Sequence, residues 1–164
     1  MRRSSGRPRT PPTVWLHSAL AKCHPSDGPE SPRPVLLVDS TVYINQIRAG
    51  RDPVSTAAPW VETGQLLCCG IIRCEVLRGI TDPEVHARMK EFFDLAVDIP
   101  FTTELWQETA DLAWSLDRTG VVIPLTDLAI ASCALSHGAE VVTTDSHFRR
   151  IPGLRTRATI PIIT

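Results

Sequence analysis

Short apolar runs that alternate with helical patterns constrain the fold more than any other feature of this chain. From residue 35 onward, runs such as VLLV at residues 35–38 are separated by longer segments with helical periodicity. Such short runs suit strands buried on both faces, and strands that alternate with helices favour a parallel sheet. The pattern predicts an α/β sandwich with a mostly parallel central sheet flanked by helices.

Capping residues and glycines set the predicted boundaries. Ser40 or Thr41 is expected to cap the first helix, Thr102 or Thr103 a later one, and Thr126 the helix that stops at Gly138. The predicted strands are residues 35–38, 65–69, 97–99, 140–143 and 159–163. The predicted helices are residues 41–50, 70–78, 83–96, 103–118 and 126–136, with a helical turn at 146–151 and a loop-like or weakly helical stretch at 51–64.

Four acidic residues lie beside apolar runs in this pattern. Asp39 and Asp145 each closely follow a predicted strand, Glu75 lies in a predicted helix, and Asp127 opens another. Because sites in parallel sheets lie beyond the carboxyl ends of strands, Asp39 and Asp145 are expected to converge at one sheet edge. Carboxylates held partly out of water repel one another unless a cation or protons intervene, and their hard oxygen atoms suit Mg²⁺ or Mn²⁺.

Each acid taken alone also has an ordinary structural explanation. Asp39 and Asp127 are well placed to cap helices, Asp145 to form a turn, and Glu75 to pair with Arg78 three residues later. For Asp127 alone, capping is the better explanation. The hypothesis of a metal site depends on the combination, because four independent explanations are otherwise needed at once.

The first 34 residues differ in composition from the rest. They hold seven of the fourteen prolines and six Lys or Arg against two acids, a charge of +4, whereas residues 35–164 carry −5. A segment with so little to bury is predicted to be a disordered extension, with the folded domain at residues 35–164. The basic extension hints at a polyanionic partner, although a solvated tail explains it equally well.

The cysteines and the hydropathy indicate the compartment. The chain has five cysteines, mostly inside apolar segments, and the adjacent Cys68 and Cys69 do not have zinc-ligand spacing. Reduced core thiols are typical of a cytoplasmic protein. Because no apolar run approaches the roughly 20 residues of a membrane span, no membrane association is expected.

The acid-bearing segments resemble, in the same order, those of PIN-domain ribonucleases, especially the VapC-like toxins of bacterial type II toxin–antitoxin pairs. The similar segments are LLVDSTVYI at residues 36–44, CEVLRG at 74–79, PLTDLAIA at 124–131 and VTTDSHFRRI at 142–151. The match spans roughly residues 35–164. It implies a PIN-like three-layer sandwich and a Mg²⁺-dependent ribonuclease.

The resemblance also implies roles for individual residues. Asp39, Glu75, Asp127 and Asp145 would form the acidic cluster that binds Mg²⁺ (Mn²⁺ is the alternative), with Asp39 and Asp127 as the foremost direct ligands. Thr41 would help to orient the acids or a water molecule. His147 stands where some relatives have an acid, and we expect it at the surface or against substrate rather than on the metal. The residues predicted to flank the cluster and contact RNA are Arg73, Arg149 and Arg150, with Arg78 as a further candidate.

The implied partners are an RNA substrate and a cognate antitoxin protein, and the implied assembly is a homodimer. Two rival functions remain at this stage. The first is a PIN fold with weak or lost activity that only binds RNA or a partner; the presence of all four acids argues against it. The second is a small-molecule α/β enzyme such as a phosphatase. Such an enzyme would need a phosphate-binding Gly-rich loop or a nucleophile motif, and neither Gly-x-Gly-x-x-Gly nor Gly-x-x-x-x-Gly-Lys occurs in the sequence.

Overall fold

The computed structural model describes residues 33–163, and within them five strands form one parallel sheet. The strands are β1 (Leu36–Val38), β2 (Leu66–Cys69), β3 (Val97–Ile99), β4 (Glu140–Val142) and β5 (Arg155–Arg157). Their order across the sheet is β3-β2-β1-β4-β5, and each neighbouring pair is parallel. The sheet is therefore wholly parallel, and β1 lies at its centre.

Six α-helices connect the strands in the described part of the chain. They are α1 (Ser40–Arg48), α2 (Pro53–Glu62), α3 (Gly70–Gly79), α4 (Pro83–Leu95), α5 (Thr103–Arg118) and α6 (Leu125–Ser136), followed by a short 3-10 helix at Phe148–Arg150. All residues of β1 and β2 are buried, as expected for strands covered by helices on both faces. The predicted α/β sandwich is confirmed.

Local chemistry explains several helix ends. The side chain of Asp82 accepts hydrogen bonds from the backbone N–H groups of Glu84 and Val85 at the start of α4. Thr102 accepts one from Leu105 N–H at the start of α5, as predicted. Beyond the last turns of α5 and α6, Gly120 and Gly138 have φ of 75° and 60°, values that glycine adopts without steric cost.

The stretch from residue 51 to 64 is more helical than predicted, since it contains α2. Asp52 caps this helix through Val54 N–H, and Pro53 occupies the first turn, where its missing N–H is not needed. Pro59 interrupts the hydrogen bonding inside the helix, at a cost of about 3 kcal/mol. Burial of Ala57 and Trp60 offsets that cost, and Trp60 Nε1 also donates a 2.9 Å hydrogen bond to Pro161 O.

Two further predictions about elements were wrong. The helix predicted to be capped by Thr126 begins at Leu125, with Pro124 at the N-cap position. The last strand is Arg155–Arg157 rather than residues 159–163. Residues 159–163 contain Pro161, which has no N–H for a strand ladder, and the segment packs through the buried Ile160 instead.

The predicted disordered extension of residues 1–34 falls almost entirely outside the described residues, so its disorder stays a prediction. No helix among residues 33–163 is long and apolar enough to span a bilayer.

Candidate active site: an acidic cleft at the carboxyl ends of the strands

All four predicted acids line one cleft. Asp39 directly follows β1, Asp145 lies three residues beyond the neighbouring strand β4, Glu75 projects from α3, and Asp127 lies in the first turn of α6. The cleft has a volume of about 350 Å³. Its other lining residues are Ser40, Thr41, Ile44, Arg78 and Gly79. The structure thus brings together residues separated by more than a hundred positions, at the sheet edge where ligands of parallel sheets bind.

Asp39 is the most deeply buried of the four, with 3% of its surface exposed. Its Oδ2 atom accepts hydrogen bonds from Thr41 Oγ1 at 2.5 Å and from Thr143 Oγ1 at 2.9 Å. Its side chain makes no capping hydrogen bond to α1, although the residue stands at the N-cap position. Helix capping therefore does not explain this carboxylate, and Thr41 contacts it as predicted.

Glu75 is oriented by a hydroxyl group as well. Ser40 Oγ donates a 2.6 Å hydrogen bond to Glu75 Oε2, which joins α1 to α3. Among the described residues, Glu75 makes no ion pair with Arg78, the alternative that its spacing suggested. Consecutive hydroxyls at the start of α1 thus serve two different acids.

Ser40 and Thr143 are site residues that sequence reasoning did not identify. Ser40 was considered only as a helix cap, and Thr143 only as the end of a strand. Their positions in the sequence could have identified them, because both are hydroxyl residues close to the end of a strand that is followed by one of the acids. Thr143 links two acids: its Oγ1 donates to Asp39 and accepts from the backbone N–H of Asp145 at 3.0 Å.

Asp127, Asp145 and His147 form the other half of the cluster. His147 Nδ1 lies 3.1 Å from Asp127 Oδ2 and 3.3 Å from Asp145 Oδ1. Pro124 rather than Asp127 stands at the N-cap of α6, and the Asp127 carboxylate bonds to His147 instead, whereas Asp145 Oδ1 accepts a 2.8 Å bond from His147 N–H and so also forms a local turn. The three side chains offer ligand atoms within 4.8 Å of one another, a spacing compatible with one metal ion.

The position of His147 differs from the sequence-based expectation. A surface or substrate-contacting residue rather than a ligand was predicted, and 38% of the side chain is indeed exposed. Its Nδ1 atom nevertheless faces the two carboxylates. His147 therefore belongs to the cluster, on the same side of it as Asp127 and Asp145.

The electrostatics of the cluster favour a cation. Burial raises the pKa of Asp39, the negative charge of Glu75 adds to the rise, and the two threonine hydroxyls oppose it. Burial likewise raises the pKa of Asp127, with contributions from Asp145 and Asp39, while the hydrogen bond with His147 lowers it. Ionisation of Asp39 and Asp127 is therefore unfavourable in the metal-free fold, and a hard divalent cation would make it favourable. Carboxylate oxygens are suitable ligands for such an ion.

Arg73, Arg149 and Arg150, which were predicted to contact RNA, do not line the cleft. Arg73 forms an ion pair with Asp94, and its Nη2 donates a 2.8 Å hydrogen bond to Phe93 O. Arg149 and Arg150 are exposed on the 3-10 helix next to His147. Arg78 does line the cleft. A role for Arg73, Arg149 and Arg150 in substrate binding stays a prediction.

Solved structures share this architecture. A chain of a DNA-bound VapBC complex from Salmonella typhimurium superposes with a TM-score of 0.64 at 24% identity, over 76% of this chain and 98% of that one. A chain of VapBC2 from Rickettsia felis, bound to a promoter DNA fragment, gives 0.62 at 20% identity over 74% and 96%. VapBC-1 from nontypeable Haemophilus influenzae gives 0.57 at 21% over 74% and 96%. These likenesses establish the fold.

No curated protein sequence matches the chain. A family model does match, and it spans the strands and helices that carry all four acids: the model of the PIN domain covers residues 36–154. That span is most of the chain and includes the whole acidic cleft, so the protein belongs to the PIN domain family.

Proposed function

We propose that the protein is a metal-dependent ribonuclease and the toxic component of a toxin–antitoxin pair. The observation that carries the proposal is the convergence of Asp39, Glu75, Asp127 and Asp145 on one cleft. Neutral hydroxyl donors orient Asp39 and Glu75, which leaves their negative charge available to a cation. Membership of the PIN domain family supports a nuclease.

Asp39, Glu75, Asp127 and Asp145 would hold the metal, with Mg²⁺ as the first candidate and Mn²⁺ as the second. When bound, such an ion would activate water and offset the negative charge that develops on the phosphate. Ser40, Thr41 and Thr143 keep the carboxylates of Asp39 and Glu75 in fixed orientations, so little reorganisation is needed when the substrate arrives.

The substrate would be RNA, bound through its backbone. Arg78 lies at the cleft, where a guanidinium can pair with a phosphate in a two-pronged fork. The chain is poor in aromatics, which make up 5% of its residues, so stacking on single-stranded bases has few candidate platforms. We infer recognition of a structured RNA by shape and phosphate contacts.

The proposed protein partner is an antitoxin that covers the acidic cleft. The three solved structures of similar fold described above are VapBC complexes, and one of them is bound to a promoter DNA fragment. An antitoxin arginine that reached the carboxylates would displace the metal, because guanidinium and carboxylate are complementary in charge and geometry. We further propose a homodimer in the cytoplasm, where the free thiols of the four cysteines among the described residues would remain reduced.

The first test is RNA cleavage by the purified protein. Wild-type protein is expected to cleave structured RNA with Mg²⁺ or Mn²⁺ and to stop when EDTA is added. Asp39→Asn and Asp127→Asn are expected to be folded and inactive. Asp111→Asn is the matched control, because Asp111 is an exposed carboxylate of α5 outside the cleft. Wild-type activity in a folded Asp39→Asn or Asp127→Asn protein would remove that residue from the ligand set.

The second test is expression in bacteria at matched protein levels. Wild-type protein and Asp111→Asn are expected to arrest growth, and the double variant Asp39→Asn/Asp127→Asn to be harmless. Equal toxicity of the wild type and the double variant would contradict a nuclease toxin. If neither is toxic and neither cleaves RNA, the protein is an inactive PIN-fold binding module.

A further inference from the structure

The imidazole of His147 lies where a metal ligand would lie. Its Nδ1 atom is 3.1 Å from Asp127 Oδ2 and 3.3 Å from Asp145 Oδ1, so two carboxylate oxygens and one ring nitrogen face a common point. In the metal-free protein Nδ1 carries the proton of the hydrogen bond to Asp127. On binding a cation the proton would lie on Nε2, and Nδ1 would present a lone pair to that point.

The fold holds this nitrogen in position. The backbone N–H of His147 donates to Asp145 Oδ1 at 2.8 Å, which fixes the Asp145 carboxylate against the backbone that carries the ring. The following residue, Phe148, is buried and anchors the turn in the core, and the 3-10 helix continues through a 3.0 Å bond from Arg150 N–H to His147 O. Asp127 comes from the start of α6, which packs in the core through a continuous run of buried residues. The three ligand atoms are therefore carried by well-anchored elements.

We propose that His147 is a direct metal ligand and that the site consequently prefers Mn²⁺ over Mg²⁺. The inference rests on the proposed function in one respect only, that the cleft binds a divalent cation. Imidazole nitrogen is a good ligand for transition metals, whereas Mg²⁺ strongly prefers oxygen. An acid at this position would complete an all-oxygen site. The histidine instead gives the cluster mixed nitrogen and oxygen character.

A direct test is pulsed EPR of the Mn²⁺-loaded full-length protein. Wild-type protein is expected to show ¹⁴N coupling to Mn²⁺, and the coupling is expected to change to ¹⁵N in protein labelled with ¹⁵N-histidine. His147→Gln should abolish the coupling, while the control His86→Gln, on α4 and outside the cleft, should retain it. Absence of nitrogen coupling in the wild type would overturn the proposal, and this readout does not depend on whether a variant folds.

Titration calorimetry with Mn²⁺ and with Mg²⁺ measures the preference. His147→Gln is expected to weaken Mn²⁺ binding by about 10-fold or more, with a smaller effect on Mg²⁺, since altering even outer-shell partners costs 10-fold to 100-fold. His147→Asp is expected to shift the preference towards Mg²⁺. Equal losses for both ions in His147→Gln, or an unchanged preference in His147→Asp, would contradict a ligand role.

The two proposals fail in distinguishable ways. RNA cleavage without nitrogen coupling would leave the nuclease intact and remove His147 from the ligand set. Nitrogen coupling without RNA cleavage would leave the metal site intact and remove the nuclease function. Failure to bind Mn²⁺ at all would overturn both.

Discussion

Replacing Asp39 with asparagine is expected to stabilise the metal-free protein while it abolishes activity. The carboxylate is 3% exposed, and burial together with the negative charge of Glu75 raises its pKa despite hydrogen bonds from Thr41 and Thr143. A raised pKa means that the charged form is less favourable in the folded state than in the unfolded one. Asparagine has similar volume and keeps one oxygen that can accept hydroxyl hydrogen bonds, yet it carries no charge.

The size and pH dependence of the effect follow from the same shift. Each unit by which the folded pKa exceeds the unfolded value corresponds to about 1.4 kcal/mol. The folded wild-type protein binds this proton more tightly than the unfolded chain, so its stability falls as pH rises from near 3.8 through the folded pKa, and stays lower above it. The advantage of Asp39→Asn should be complete at pH 7 and vanish at low pH. We expect a gain of about 0.5–2 kcal/mol, the range typical of stabilising substitutions.

The assay is thermal denaturation with EDTA, then with excess Mn²⁺. At roughly 4 °C per kcal/mol, Asp39→Asn should melt about 2–8 °C above wild type at pH 7 without metal. Metal at 100 times its Kd would stabilise the wild type by about 2.7 kcal/mol and the variant much less, so the order should reverse. The control Asp111→Asn, at an exposed site on α5, should change little in either condition. A folded but destabilised Asp39→Asn protein in EDTA at pH 7 would refute the electrostatic reasoning.

Three further predictions test other parts of the molecule. Arg78→Gln should raise the KM for RNA about 10-fold with an unchanged Tm, because one charge-assisted phosphate contact is worth about 1.5 kcal/mol. The control is Arg48→Gln, on an exposed part of α1. An unchanged KM for Arg78→Gln would exclude the phosphate contact. Phe148→Ala should lower the free energy of unfolding, measured by urea denaturation, by about 3–5 kcal/mol, since the ring is fully buried beside the cluster. A decrease below about 1 kcal/mol would show that Phe148 does not anchor the turn. Removing residues 1–34 should leave the Tm nearly unchanged, and a fall of more than about 4 °C would show that the segment packs on the domain.

The sequence was sufficient for the fold where burial decided the structure. The apolar runs of β1 and β2 and the capped helices α4 and α5 were located to within a residue or two, because hydrophobic pattern and local capping agreed there. Prediction failed where tertiary contacts overrode local signals. Helix α2 tolerates Pro59 because Trp60 is buried. Strand β5 lies at the edge of the sheet and carries the charged residues Arg155 and Arg157, so its sequence has little apolar pattern that would identify it as a strand.

The acids of the candidate site and the contact from Thr41 were predictable, whereas the other partners of the acids were not. Asp39 and Asp145 follow strands that a parallel sheet must place together, so their convergence was a consequence of topology. His147 joins the cluster through Asp127, twenty residues away, and no local pattern specifies how α6 approaches the turn after β4. The ion pair of Arg73 was not predictable for a similar reason, because its proximity to Glu75 along α3 did not reveal that it would pair with Asp94.

The partners of the carboxylates separate structural acids from functional ones. Outside the cleft, Asp94, Asp52 and Glu140 are each paired with an arginine, respectively Arg73, Arg88 and Arg157, so their charge is satisfied within the protein. For Asp39 and Glu75 inside the cleft, the hydroxyls of Ser40, Thr41 and Thr143 take the place of arginines. A hydroxyl fixes the direction of a carboxylate without cancelling its charge, so Asp39 and Glu75 remain mutually repulsive after folding. An arrangement that keeps this repulsion destabilises the metal-free fold, and a bound cation would relieve it, which is why we propose that the cluster binds a metal.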